Sequence, residues 1–284
     1  MNVKQFLRPY WELVILDNPI EDIIGGCELK IRRIHHHIDD RWFADPFILK
    51  VTDHELTLLV EAFSIKEQKG NIAKIVVDRK RLEITRCHTV LEGKHFSFPF
   101  IHRKGNEIWV MPESSQEGCL MAYVYDDQTE TCRFEKVLCK EPLTDAIYTN
   151  AWGKGLLLST QVPNQNGHVL GVWMADDTTG AFSKEYEVSF SENIARNAGG
   201  LFICQGETYR AAQECNHWYG HAISLQKIKM DNGRLLFDEC RRLYHGYGIH
   251  TFNTYQGVTV ADIKQFRIGW LSSLAYYLHG KTDL

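Results

Sequence analysis

Nowhere in these 284 residues do roughly eighteen uncharged apolar residues follow one another, so no helix is predicted to cross a membrane. The opening stretch, MNVKQFLRPYWELVILDNP, lacks the apolar centre of a secretory signal, and the chain reads as cytoplasmic. An excess of positive charge is also missing. Thirty-two Lys and Arg against 36 Asp and Glu leave a net charge of -4, with the basic residues scattered, which argues against nucleic acid as a partner. The eight cysteines include no CxxC pair and no zinc-like grouping, and therefore read as free thiols. There is no GxSxG elbow, and Cys204 and Cys215 lie within a hairpin, so no serine or cysteine nucleophile is supported. NAGG and GKG lack the strand, glycine loop and helix that cradle phosphate, and no cofactor is predicted.

Long helical periodicity is scarce too. What recurs instead are short runs rich in Val, Ile, Tyr, Phe and Trp between Gly, Asn and Asp turns, the pattern of an all-β chain. Five segments share one outline of strand, turn and second strand: DPFILKVTDHELTLLVEAF from Asp45, FPFIHRKGNEIWVMPESS from Phe98, DAIYTNAWGKGLLLST from Asp145, NAGGLFICQGETYRAAQEC from Asn197 and HTFNTYQGVTVADIKQF from His250. Their starts are 53, 47, 52 and 53 residues apart. Third and fourth strands follow the first four, as in GNIAKIVVD and RLEITRCHTVL after the first. Four antiparallel strands per unit of about fifty residues predict a five-bladed β-propeller formed as one domain by residues 1–284. Residues 1–40 then form an approach, and YWELVILD completes the fifth blade. A sandwich with evenly spaced strands is the alternative.

Hairpin geometry turns this spacing into a site. Residues equidistant from a turn face each other across an antiparallel pair. Asp45 and Glu61 straddle Asp53, Phe98 and Glu113 straddle Gly105, Asp145 and Thr160 straddle Trp152-Gly153, Asn197 and Gln213 straddle Gln205, and His250 and Asp262 straddle Gln256. With each first strand innermost, Asp45, Glu61, Glu113, Asp145, Asn197, Gln213, His250 and Asp262 gather at one mouth of the axis. Converging carboxylates serve acid-base chemistry, hold a cation or grip a hydroxyl-rich ligand, and a propeller axis is a natural pocket.

The blade openings resemble those of five-bladed glycosidases of the family 43 type. Asp45-Pro46, Phe98-Pro99, Asp145-Ala146 and His250 match that pattern, while Asn197 stands where those enzymes place a Glu. The resemblance implies that Asp45 is a general base, that Asp145 modulates and orients its partner, and that His250 lies on the axis, where a cation is possible. An amide cannot serve as the acid. The task then falls to Glu113, the leading candidate, or to Glu61.

A closer resemblance covers nearly the whole chain. WFADPFIL, SFPFI, MPESS, LTDAIYTN, RNAGGLF, YRAAQECN, YGHAISL and HTFN are similar to the N-terminal propeller domain of plant glucosamine inositolphosphorylceramide transferase and its microbial relatives. In the plant proteins the sugar-transferring domain follows the propeller. The chain ends at Leu284, so the resemblance carries no transferase activity to it. Some microbial relatives are joined to formyltransferase-type domains, which implies surface-glycan or glycolipid metabolism and a partner glycosyltransferase or formyltransferase.

Two functions of different classes follow: a glycoside hydrolase using Asp45, Asp145 and Glu113, or a non-catalytic sugar-binding scaffold. An inert structural channel is a third. Arg196 and Arg210 either grip an anionic sugar or neutralise the acidic rim. Trp42 and Phe98, beside blade openings, are the candidate sugar-stacking rings. His35, His36 and His37 alternate faces on a strand and cannot all ligate one ion, so no metal site is assigned to them.

Overall fold

Turn residues with a left-handed backbone punctuate the strand-forming runs. Gln205-Gly206 and Gln256-Gly257 have consecutive positive φ values of 51°, 79°, 49° and 74°, which suits the twist of the strands they join. The computed structural model describes residues 7–268, in which twenty strands form five four-stranded antiparallel sheets. Parts of the sequence at either end, residues 1–6 and 269–284, lie outside the described residues.

Blade 1 comprises β3 (Arg41–Val51), β4 (Glu55–Ser64), β5 (Lys69–Asp78) and β6 (Glu83–Leu91). Blade 2 comprises β7 (Ser97–Lys104), β8 (Glu107–Glu113), β9 (Leu120–Asp126) and β10 (Thr131–Cys139). Blade 3 runs through β11 (Leu143–Thr149), β12 (Leu156–Gln161), β13 (Val169–Ala175) and β14 (Phe182–Ser189). Blade 4 contains β15 (Phe202–Cys204), β16 (Glu207–Glu214), β17 (Ala222–Asp231) and β18 (Arg234–Tyr244). Blade 5 joins the two ends of the chain, with β19 (Ile249–Tyr255) and β20 (Val258–Ile268) followed by β1 (Leu7–Leu16) and β2 (Ile31–Arg33). β1 pairs with β20 from Leu7↔Ile268 to Leu16↔Thr259, which closes the ring.

Each blade is packed between two others, so its middle strands have no solvated face. β4 buries every residue from Leu56 to Ala62, whereas the outer strand β14 exposes most of its length. The first strand of blade 4 is short because NAGG presses against blade 5. A Cβ on Gly199 would lie 2.0 Å from the carbonyl oxygen of Phe252. That close approach, rather than phosphate binding, accounts for Gly199.

Candidate functional site

The equidistant pairing predicted for the inner hairpins is displaced by one residue. Ala44 rather than Asp45 pairs with Glu61, Ser97 rather than Phe98 with Glu113, Thr144 rather than Asp145 with Thr160, and Thr251 rather than His250 with Asp262. Asn197 forms no bridge to Gln213 but a single one to Ala212. In blades 1 to 3 the cause is a repeated bulge, one extra residue near the start of the inner strand, whereas in blade 5 the displaced register already runs from the turn and the bulge falls at His250. In blades 1 to 3 the extra residue has positive φ: 51° at Asp45, 43° at Phe98 and 49° at Asp145. Such a backbone is strained for a non-glycine residue, and it persists where surrounding bonds fix it.

At Asp45 those bonds come from two other blades. Oδ1 accepts from Thr251 Oγ1 at 2.7 Å, Oδ2 accepts from the backbone N–H of Phe98 at 3.0 Å, and the N–H of Asp45 donates to Asp262 Oδ2 at 2.8 Å. His250 lies between the two acids, with Nδ1 2.6 Å from Asp262 Oδ1 and Nε2 3.3 Å from Asp45 Oδ1. Its ring stacks on Trp11 of β1 at 3.8 Å. Burial pulls the imidazole pKa down, but Asp262, Asp45 and Asp145 outweigh it and raise it overall. Burial likewise raises the Asp45 carboxyl, against the attraction of His250.

These three residues offer ligand atoms within 4.8 Å of one another, the candidate cation site near His250. Both imidazole nitrogens already face carboxylates, so the histidine itself can supply the positive charge there. The arrangement fits a carboxylate–imidazolium–carboxylate triad better than a metal centre.

Asp145 belongs to a second network. Its Oδ2 accepts from Arg196 Nε at 2.6 Å and from Gln213 Nε2 at 3.0 Å, and Arg196 also donates to Asn166 Oδ1 at 2.8 Å. Burial pushes the Asp145 carboxyl up to about 7 despite the arginine. Of the two weighed arginines, Arg196 is thus the one that neutralises a rim acid. Arg210 does not reach the mouth. It is wholly buried within blade 4 and donates to Asn197 Oδ1, Gln226 Oε1 and the carbonyl of Ala195.

Asn197 is equally enclosed. Its amide donates to the carbonyls of Asp145 at 2.7 Å and Leu158 at 2.8 Å while its oxygen takes Arg210. Asn197 and Gln213, both 0% exposed, buttress Asp145 instead of lining an open surface.

Glu113 accepts from Ser115 Oγ at 2.5 Å, Ser115 N at 3.3 Å and Ser97 Oγ at 3.4 Å. Glu61 accepts no hydrogen bond among the described residues, and its nearest cationic candidate is His95, with Nε2 3.7 Å from Oε1. The Nδ1 of His95 accepts from the N–H of Gly70 at 2.9 Å, which assigns the neutral tautomer with the proton on Nε2, toward Glu61. Burial lowers the His95 pKa further, despite the raising effect of Glu113 and Asp45. For Glu61, burial first and then Asp45, Glu113, Asp262 and Asp145 raise the carboxyl well above its ordinary value. Glu61 therefore holds its proton more firmly than an exposed glutamate.

The predicted stacking rings separate. Phe98 is fully buried with its ring edge-on to Phe47, so its backbone N–H, not its face, serves the site. Trp42 is half-buried and stacks on Phe63 at 4.5 Å. Sequence reasoning missed Trp11, His95 and Tyr219. Tyr219 lies in the loop after β16, edge-on to His250 at 5.3 Å and 4.9 Å from the Arg196 guanidinium. Burial raises its phenol pKa, with Arg196 opposing and Asp45, Asp145 and Glu61 adding to the rise. Its signal was the aromatic-glycine step in WYGH. Gly220 has a φ of 66°, and a Cβ there would lie 2.7 Å from both His250 Cβ and the Trp11 ring.

The acids are nearly enclosed: Asp45 is 5% exposed, Asp145 2% and His250 2%. Other cavities lie to the side and below. One of about 740 Å³ runs beside blade 3 and includes Asn166, the partner of Arg196, and one of about 300 Å³ at the opposite end of the axis is lined from all five inner strands. The three histidines of residues 35–37 do not converge: His36 meets Phe43, while His37 lies 3.4 Å from Glu83.

The family description "glucosamine inositolphosphorylceramide transferase 1, N-terminal" matches residues 23–245. The chain belongs to that family. Relatives named glucosamine inositolphosphorylceramide transferase 1 from Oryza sativa subsp. japonica and Arabidopsis thaliana are each 30% identical, over 66% and 68% of this chain. The chain covers only 26% of either protein. Among solved structures, a GH43 β-xylosidase/α-arabinofuranosidase from a compost microbial metagenome aligns with a TM-score of 0.54 and 10% identity, over 81% of this chain and 92% of that one. A family 117 glycoside hydrolase of Zobellia galactanivorans aligns with a TM-score of 0.53 and 10% identity, over 84% and 76%. These likenesses show a shared fold. In this member of the transferase N-terminal family, the matched stretch holds Asp45, Glu61, Glu113, Asp145 and Asn197, whereas Trp11, His250 and Asp262 lie beyond it.

Proposed function

We propose that the propeller recognises a glycan or glycoconjugate at the mouth bounded by Asp45, Glu61, Glu113, Asp145 and His250 without hydrolysing it. The observation that carries this reading is the enclosure of Asn197, whose side chain is bonded on three sides within the protein. Hydrolysis by paired carboxylates requires a proton donor that reaches the glycosidic oxygen. Position 197 provides none, and Asp145 is already held by Arg196 and Gln213. Fixed carboxylates and a guanidinium suit the binding of hydroxyl groups. The names of the relatives support a sugar ligand, and one structural neighbour was crystallised with xylotriose. In this reading a separate glycosyltransferase or formyltransferase acts on the sugar that the propeller presents.

A hydrolase is the second reading, favoured by Glu61. A buried carboxyl whose pKa is raised well above the ordinary glutamate value has the property a general acid needs. Glu113 is held by Ser97 and Ser115, so Glu61 takes the acid's part in this reading, with Asp45 as base and Asp145 as modulator. A glycan array carrying xylo- and β-1,3-galacto-oligosaccharides of one to six units, inositol-phosphate glycans and sugar nucleotides tests both. Wild type should bind without releasing sugar, and Asp45→Asn, checked for folding by its melting temperature, should bind at least tenfold more weakly. Sugar release by wild type that disappears in Asp45→Asn would transfer the site to the hydrolase reading, and binding of no probe would refute recognition.

A further inference from the structure

Exposed aromatic side chains collect at one place beside this mouth. Nine large apolar side chains among the described residues are exposed, and four of them, Trp218 at 47%, Tyr244 at 57%, Tyr247 at 61% and Phe266 at 38%, border the seam of blades 4 and 5. They form one connected shelf. Trp218 lies edge-on to His221 at 4.5 Å, His221 to Tyr244 at 5.5 Å, and Tyr247 to Phe266 at 4.9 Å. Trp218 Nε1 donates to the carbonyl of Tyr247 at 3.0 Å, joining the two halves.

The shelf is held from below. Glu214, 1% exposed, is bonded through Oε2 to Nδ1 of His221, and its other oxygen accepts the N–H of Asn216 at 2.7 Å. A buried carboxylate thus fixes the orientation of the half-buried histidine at the centre of an exposed aromatic surface. Rigid rings kept in water are costly unless a ligand covers them, and patches of this kind mark binding surfaces.

Its position points to the occupant. Tyr219, next in the chain to Trp218, borders the acidic mouth against His250, Trp11 and Arg196. The required glycine at position 220 seats this turn directly against the His250 Cβ. The mouth offers hydrogen-bond acceptors and the shelf offers apolar ring faces. An oligosaccharide presents both counterparts, hydroxyl edges and C–H faces. We infer that Trp218, His221, Tyr244 and Tyr247 form an outer subsite, over which a glycan held at the axial mouth by Tyr219 and its neighbours continues outward. This inference rests on the recognition reading and narrows its ligand to a chain of sugars.

The same oligosaccharide ladder tests it, with Trp218→Ala, Tyr247→Ala and Tyr219→Phe, each checked by melting temperature. Wild-type affinity should rise with chain length. Trp218→Ala and Tyr247→Ala should each remove about tenfold of that gain while leaving single-sugar binding unchanged, and Tyr219→Phe should weaken every length alike. Wild-type binding that is independent of length, or a Trp218→Ala protein with the full length dependence, overturns the subsite and leaves recognition at the mouth standing. Failure of wild type to bind any member overturns both.

Discussion

The backbone N–H of Asp45 donates to Oδ2 of Asp262 at 2.8 Å, a bond between residues 217 positions apart. The other oxygen of Asp262 takes the N–H of Thr251 at 2.9 Å and Nδ1 of His250. One fully buried carboxylate therefore links the first blade to the last and orients the axial histidine. The ring closure by β1 and the geometry of the mouth depend on the same seam.

Replacing Asp262 by Ala strips the partner from a buried imidazolium and from two backbone N–H groups. Losing one partner of a buried ion pair costs about 3–5 kcal/mol, and Asp262→Ala should be destabilised to that extent in urea unfolding. A loss below about 1 kcal/mol, the range of an exposed pair, would show that Asp262 does not hold the seam.

Gly220 and Gly233 both have positive φ, 66° and 78°, yet only Gly220 has neighbours within van der Waals reach of an added Cβ. Gly233→Ala should cost about 1 kcal/mol from backbone strain alone. Gly220→Ala must also displace His250 or Trp11, adding about 1–3 kcal/mol, and should weaken ligand binding as well. Equal melting temperatures for the two variants would contradict this packing.

Installing the acid that the family 43 pattern calls for should fail. Asn197→Glu places a longer, acceptor-only group against the carbonyls of Asp145 and Leu158. We expect a stability loss of about 1–3 kcal/mol from overpacking and no hydrolysis of aryl glycosides. Measurable turnover by this variant would mean that residue 197 can reach the mouth after all.

Stability should fall as pH rises through neutrality. The carboxyls of Glu61 and Asp145 have raised pKa values, that of Asp145 about 7, so the folded chain keeps protons that the unfolded chain loses near pH 4. The penalty for ionising them is absent below about pH 4 and for Asp145 is complete above about 7. His250 acts in the same direction. Its stabilisation is complete below its unfolded pKa of about 6.5 and is lost as pH passes its higher folded value. Glu61→Gln should raise the melting temperature at pH 8, flatten the profile and change little at pH 4. A variant less stable than wild type at pH 8 would reverse the assigned sign.

Much of the mouth was legible because blade repeats place equivalent residues at equivalent heights. Asp45, Asp145 and His250 recur at strand starts, and their gathering follows from spacing alone. The pairings across each hairpin were not legible, because a bulge adds a residue without changing the apolar pattern that flanks it. The same bulge buries the Phe98 ring while turning its N–H toward Asp45. Residues brought from other elements, such as Trp11 from β1 and Tyr219 from a loop, carry no repeat signature.

The order of strands and turns, the five-fold repetition and the acidic strand starts were written in the sequence, because alternation, β-branched runs and turn residues act locally. Which acids would be charged, which amides would face inward and which aromatics would remain in water was decided by the closed ring. Desolvation, ion pairing and close packing are properties of neighbours brought together from distant parts of the chain. Arg196 and Arg210, alike in the sequence, differ only because one blade seam leaves a carboxylate within reach and the blade interior does not.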